Sequence, residues 1–306
     1  MSQRAARDER LVGFLEAVAA ACLWATSGIF AVHLFRLGVP PQTVALLRPV
    51  AGVAFLALGF ALTQPRALRA SAREALVLGL GGGAAVGVFQ VAYQMSTDAV
   101  GVPTTVALLY LAPALVVASA GPVLGEWPTR RRVALAALTL VGVWLSVLGA
   151  EDVPATFGST GLAWGVLAAA GYATYTLFGR FATPRYGSAK TALYSTVGAC
   201  VLLAFVVPAS PGPVVLPAGM RAWLLLIVFG ALTIAAAQFL FFDALGRVEA
   251  SGAAIAAAAE PAVAAVLATV LLSQGLQPLG WLGIALVVAG VVGVGLTARG
   301  DALGGG

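Results

Sequence analysis

The sequence predicts an all-α membrane protein whose ten transmembrane helices form two inverted five-helix repeats. Three observations lead there: an apolar composition, basic connections that alternate along the chain, and rare residues recurring at one offset. Hydrophobic residues make up 60 % of the chain and charged ones only 9 %, with a mean hydropathy of +0.98. A water-soluble domain needs far more charge to cover its surface. The apolar residues come in runs of about 20, the number a helix needs to cross a ~30 Å hydrocarbon layer.

The spans are expected at 11–33, 42–63, 75–95, 100–122, 131–149, 160–182, 189–208, 222–243, 250–272 and 278–297. The first follows Arg4, Arg7 and Arg10 and so resembles a signal peptide. Its apolar stretch to about Phe35 exceeds the usual ~7–15 residues, and it reads as a retained span. One set of connections holds Arg4, Arg7, Arg10, Arg66, Arg69, Arg73, Arg130, Arg131, Arg132, Arg180, Arg185, Lys190, Arg247 and Arg299. The opposite set holds Arg36 and Arg221 with the acidic Glu151 and Asp152. Fourteen basic residues against two place both termini in the cytoplasm by the positive-inside rule, and an odd span count would scramble the alternation.

The net charge of +5 does not point to nucleic acid, because the basic residues sit between apolar runs rather than among aromatics on a polar face. Cys22 and Cys200 fall inside apolar runs and read as small core residues. With one histidine and two cysteines, a metal site or a Cys/His catalytic pair lacks raw material, and neither metal nor cofactor is expected. Gly81–Gly83 does not open a helix after a strand, so it is no phosphate loop.

Sliding the chain by 148 residues pairs Pro113 with Pro261, Gln90 with Gln238, Thr26 with Thr174, Phe30 with Phe178 and Gly142 with Gly290. Trp24 falls on Tyr172 at the same offset. Rare residues recurring at one offset indicate duplication. The halves are expected at 11–149 and 160–297. Five spans per half make the second enter the membrane from the other side, an inverted repeat of the kind many alternating-access transporters use.

Both halves end alike. Tyr110-Leu-Ala-Pro113 leads a helix closing at Leu124-Gly125-Glu126; Glu260-Pro261 leads one closing at Gln274-Gly275, followed by a Gly/Leu-rich helix. Span one carries Leu23-Trp24-Ala-Thr-Ser. Together these resemble the drug/metabolite transporter superfamily, specifically its EamA-type members with two five-helix repeats. Gln274 stands where that pattern has a second Glu, and Ala25 where Gly is common. The resemblance implies a central cavity lined by spans 1, 3, 4, 6, 8 and 9, with spans 5 and 10 peripheral. It also implies export of amino acids or other small metabolites across a bacterial inner membrane.

Ionisable groups inside spans are expensive and normally face a cavity or a partner. Glu260, near the middle of span 9, reads either as a protonatable cavity group or as a structural carboxylate. Arg48 in span 2 could hold a substrate carboxylate, snorkel, or pair with a buried acid. Pro113 and Pro261 should bend their helices. The cavity candidates are Trp24, Thr26, Gln90, Tyr93, Tyr110, Tyr172, Tyr175, Gln238 and Phe241. Amides both donate and accept, which suits a polar solute, but also interhelical bonding. Tyrosines should turn away from lipid to find partners. Glu126 and Asp243 should pair with Arg130–Arg132 and Arg247. The expected partners are a small-molecule substrate, the bilayer and protons; the oligomeric state stays open. The rival functions are an uncoupled facilitative carrier of a sugar, nucleoside or drug, and a membrane-embedded enzyme, which scattered acids and one histidine disfavour.

Overall fold

In a computed structural model of the chain, residues 3–149, 158–209, 212–272 and 275–300 are described. Glu151, Asp152 and Gln274 lie outside them. Ten helical rods, α1 to α10, make up the bundle among the described residues.

α1 runs Gln3–Ala25, breaks at Thr26 and resumes as Ser27–Arg36. At the break the Thr26 hydroxyl and N–H both donate to the Leu23 carbonyl, at 2.7 and 3.2 Å. α2 is Pro41–Thr63, with Pro49 buried inside it. Proline at its first turn costs nothing, because that N–H has no helical acceptor. α3 starts as Ala72–Leu76 under a Ser71–Glu74 capping box and passes through π-helical turns at Val77–Gly82.

Helical turns then follow over Gly83–Leu109. The two spans expected in this region are nonetheless distinct. The Thr105 hydroxyl donates to the Ser96 hydroxyl at 2.9 Å. A straight helix would hold residues nine apart separated by about 13 Å along its axis, so the chain reverses between them. α3 therefore ends near Thr97, and α4 spans Thr104–Leu124.

The second half follows the same plan after α5 (Arg130–Leu148). α6 is Ser159–Tyr186 and α7 Ser188–Ala209. α8 runs Met220–Gly230, π-helical Ala231–Ala236, then Ala237–Arg247. α9 is Ala250–Ala257 and Ala259–Leu272, and α10 is Pro278–Gly300. Nine of the ten rods are long and apolar enough to cross a membrane by composition alone. The tenth, α6, is 28 residues long and diluted by Gly, Thr and Tyr, the residues that pack it into the bundle.

The prolines act one turn upstream of themselves. α4 breaks at Tyr110–Leu111 and α9 at Ala258, ahead of Pro113 and Pro261. A proline ring collides with the carbonyl four residues back, so the disruption falls there. Tyr110 and Ala258 are themselves 148 residues apart, so both halves bend at the same place.

α5 and α10 pack against each other through glycines. A Cβ on Gly142 would lie 2.7 Å from the Val287 nitrogen, and one on Gly283 2.2 Å from the Ser146 nitrogen. Close backbone approach of this kind replaces the hydrophobic drive that lipid cannot supply.

Two expectations need correction. Cys22 lies on the exposed face of α1, because Ala17, Ala20 and Ala21 take the inward positions; both cysteines are free. Glu126 does not pair with Arg130–Arg132. The chain turns it back toward α6, where Arg180 Nε meets it at 2.5 Å, and it also accepts the Ala250 N–H at 2.9 Å.

The basic connections gather at one end of the bundle, as their alternation requires. There Arg132 pairs with Glu249, and Lys190 with Glu74 at 3.0 Å. Arg247 reaches Glu9 at 2.8 Å, Glu16 at 3.2 Å and Asp243 at 2.8 Å, and Asp243 also takes the Ser188 hydroxyl. These contacts tie α1 to α8, α3 to α7 and α5 to the start of α9, across the two halves at the arginine-rich end. The opposite end is held by neutral contacts. Phe30 stacks on Phe229 at 5.2 Å, and the Thr43 hydroxyl donates to the Val215 carbonyl at 2.9 Å.

Candidate functional site

The sequence candidates converge on the middle of the bundle. α1 supplies Trp24, α6 Tyr172 and Tyr175, and α8 Phe241. Trp24 lies 5.2 Å from Phe241 and 6.3 Å from its repeat mate Tyr172, both edge-on. Tyr172 and Tyr175 lie 6.4 and 5.7 Å from Phe241, nearly parallel to it, and Tyr175 meets Phe242 at 5.0 Å. Phe89, which the sequence reading did not single out, fills the side between Tyr93 and Tyr172 at 6.1 and 5.4 Å. The rings form a packed aromatic floor in the middle of the bundle.

The indole N–H of Trp24 donates to the Thr233 carbonyl at 2.8 Å, inside the π-helical stretch of α8. Widening a helix from i→i+4 to i→i+5 bonding disturbs the carbonyl ladder locally, and in lipid a freed carbonyl must find a donor. Trp24 is that donor. Thr26, two residues along, spends its hydroxyl on Leu23 at the helix break instead of pointing it at a solute.

On the other side of the floor stand the charges. Arg48 Nη2 donates to Gln90 Oε1 at 3.2 Å, and its guanidinium lies 4.8 Å over the Phe229 ring. Its Nε is buried and unpartnered. Glu260 on α9 lies within electrostatic reach of Arg48, Tyr93, Tyr110 and Tyr172. It makes no ion pair with Arg48. The Tyr110 hydroxyl faces Glu260 without closing a hydrogen bond. Arg48, Tyr93 and Glu260 are each half-buried, so the space they face is accessible.

The repeat relates these residues in pairs. Arg48 bonds Gln90 across 42 residues, and the Gln238 amide donates to Thr196 at 2.9 Å across the same 42. Adding 148 to Arg48, Gln90 and Tyr93 gives Thr196, Gln238 and Phe241. In every pair the first-half member is half-buried and its mate buried, Thr196 at 1 % and Gln238 at 4 % exposure. The symmetry is broken in charge at two positions. Arg48 answers to neutral Thr196, and Glu260 to Ala112. The scaffold is thus pseudo-symmetric while the cavity is bipolar, one pole from each half.

Other candidates lie elsewhere. Glu16 belongs to the Arg247 cluster. A separate open cleft lined by 63–67 and 186–190 sits over the arginine-rich connections, remote from the aromatic floor.

The helical rods, the duplicated bends and the charged residues set among them define a polytopic membrane protein. The chain belongs to the EamA-like transporter family, whose sequence profile matches residues 11–148 and again 159–296. It is 29 % identical over 163 residues to the "Uncharacterized transporter YwfM" of Bacillus subtilis (strain 168); the aligned part is 53 % of each chain, so this chain spans about half the length of that relative. A solved crystal structure superposes with a TM-score of 0.78 over 94 % of this chain and 98 % of the other; at 19 % identity it is similar in fold.

Proposed function

We propose that the cavity is the solute site of a secondary transporter that exports amino acids or similar small metabolites by alternating access. The membrane is the bacterial inner membrane, with both termini cytoplasmic. One arrangement carries the reading: Arg48 and Glu260, opposite charges, face the same accessible space above an aromatic floor without pairing. Unpaired charges inside a membrane are costly. A zwitterion satisfies both at once, its carboxylate on Arg48 Nε and the Gln90 amide, its ammonium on Glu260, and its side chain against Trp24, Tyr93 and Tyr172.

Half-buried Arg48, Gln90 and Tyr93 with their buried mates Thr196, Gln238 and Phe241 are what one conformer of an alternating pair would display. The outward direction and the inner membrane come from the family resemblance, and the fourteen-to-two charge asymmetry supports the orientation. Glu260 serves as the proton carrier. Its carboxylate stands in the cavity, where loading and unloading of a proton can follow access to either side.

The test is flux and counterflow in proteoliposomes with a panel of labelled amino acids, with and without an imposed pH gradient. Saturable flux that follows the gradient is expected. Saturable flux indifferent to the gradient would make the protein a facilitative carrier and Glu260 a structural charge. No flux for any amino acid would overturn the substrate class and direct the search to sugars, nucleosides and cationic drugs.

A further inference from the structure

The broken symmetry between Arg48 and Thr196 has a kinetic consequence. Inverted repeats alternate access by exchanging dispositions, so that the second half comes to occupy the open arrangement the first half holds now. In the present conformer the cavity is lined by Arg48 bonded to Gln90, while Thr196 bonded to Gln238 is sealed. After the exchange the open side would be lined by the Thr196–Gln238 pair, and the Arg48–Gln90 pair would be the sealed one. Threonine offers a solute carboxylate one neutral hydroxyl, and that hydroxyl already donates to the Ala192 carbonyl at 2.6 Å while accepting from the Gln238 amide. Arg48 offers a cation with an unpartnered Nε. Glu260 lies beside the bend of α9 at Ala258.

We infer that the transporter is one-sided in its grip on the anionic end of the solute: Arg48 anchors a carboxylate in the conformer open at the arginine-poor end, and no residue replaces it in the conformer open at the arginine-rich end. Half-saturating concentrations at the two faces therefore differ. The asymmetry does not set the direction of net flux, which the gradients decide. This inference rests on reading the central cavity as the solute site.

The experiment measures half-saturation from each face of oriented proteoliposomes, using the labelled amino acid that gives the largest saturable flux. A charge-assisted hydrogen bond is worth enough to make the arginine-poor face saturate at roughly tenfold lower concentration. Arg48→Thr should raise that concentration to the value at the other face. Arg48→Thr combined with Thr196→Arg should reverse the order. Equal half-saturation at both faces of the unaltered protein, or a difference that survives Arg48→Thr, would overturn the inference.

A second measurement needs no amino acid. With Cys22→Ser and Cys200→Ala as background, Arg48→Cys and Thr196→Cys are each treated with an impermeant thiol reagent from either face. Modification of Arg48→Cys from the arginine-poor face alone, and of Thr196→Cys from the arginine-rich face alone, supports one-sided exposure. Modification of Arg48→Cys from both faces would sink it. If no amino acid is carried but the labelling is one-sided, the proposed substrate class fails and the sidedness of Arg48 stands.

Discussion

Glu260 and Trp24 show how much a single side chain can be asked to do in lipid. Glu260 meets a tyrosine hydroxyl and a distant arginine but no direct counter-ion, so its charge has work other than holding helices together. Glu260→Gln keeps the shape and removes the charge. Gradient-driven accumulation should fall to the equilibrative level while exchange of internal for external solute persists; full accumulation in this variant would remove Glu260 from coupling. Trp24 caps a carbonyl in the widened turn of α8. Trp24→Phe keeps most of the ring packing and strands that carbonyl, at a cost of about 1–3 kcal/mol. A lower midpoint of thermal unfolding in detergent is expected, and an unchanged midpoint would mean that the indole N–H is dispensable. Neither role is written in the residue itself. The sequence marks Trp24 as a cavity aromatic, whereas its bond to Thr233 crosses 209 residues and depends on a π-helical turn that no local pattern announces.

At the scale of elements, bends and close approaches divide the helices into moving and supporting parts. α4 and α9 both break one turn ahead of a proline, and α3 and α8 both carry π-helical turns. These four helices carry Gln90, Tyr93, Tyr110, Gln238, Phe241 and Glu260. α5 and α10 have neither feature and meet through Gly142 and Gly283. Gly142→Leu should wedge this pair apart and cost stability, about 1–3 kcal/mol for overpacking, without moving the half-saturating solute concentration. A change in half-saturation with intact stability would mean that the pair takes part in the cavity after all. The bends were legible because proline is rare in helices and recurs at the offset. The reversal between Ser96 and Thr105 was legible as a change of span, and the Thr105–Ser96 hydroxyl bond fixes its place.

At the scale of the molecule, the arginine-rich end is closed by ties between the halves, chief among them Glu126 with Arg180 and the Ala250 N–H. Opening that end must break them. Glu126→Gln weakens the tie while keeping an acceptor, and should raise the labelling of Thr196→Cys from the arginine-rich face several-fold. Unchanged labelling would mean that closure rests on the aromatic floor alone. The sequence by itself determined the class of this protein. Apolar run length is set by bilayer thickness, the gathering of arginines by membrane topology, and the repeat by duplication, and each leaves its mark along the chain. It also marked most of the cavity residues, because polar and aromatic groups inside spans need a reason to be there. Only the tertiary structure decided which partner each took: that Arg48 bonds Gln90 and leaves Glu260 unpaired, that Glu126 reaches Arg180, that Thr26 spends its hydroxyl on its own helix, and that Cys22 faces outward. Those choices depend on the rotation and depth of each helix against its neighbours. Hydropathy is nearly blind to both, because lipid-facing and helix-facing surfaces here are built from the same Ala, Leu and Val.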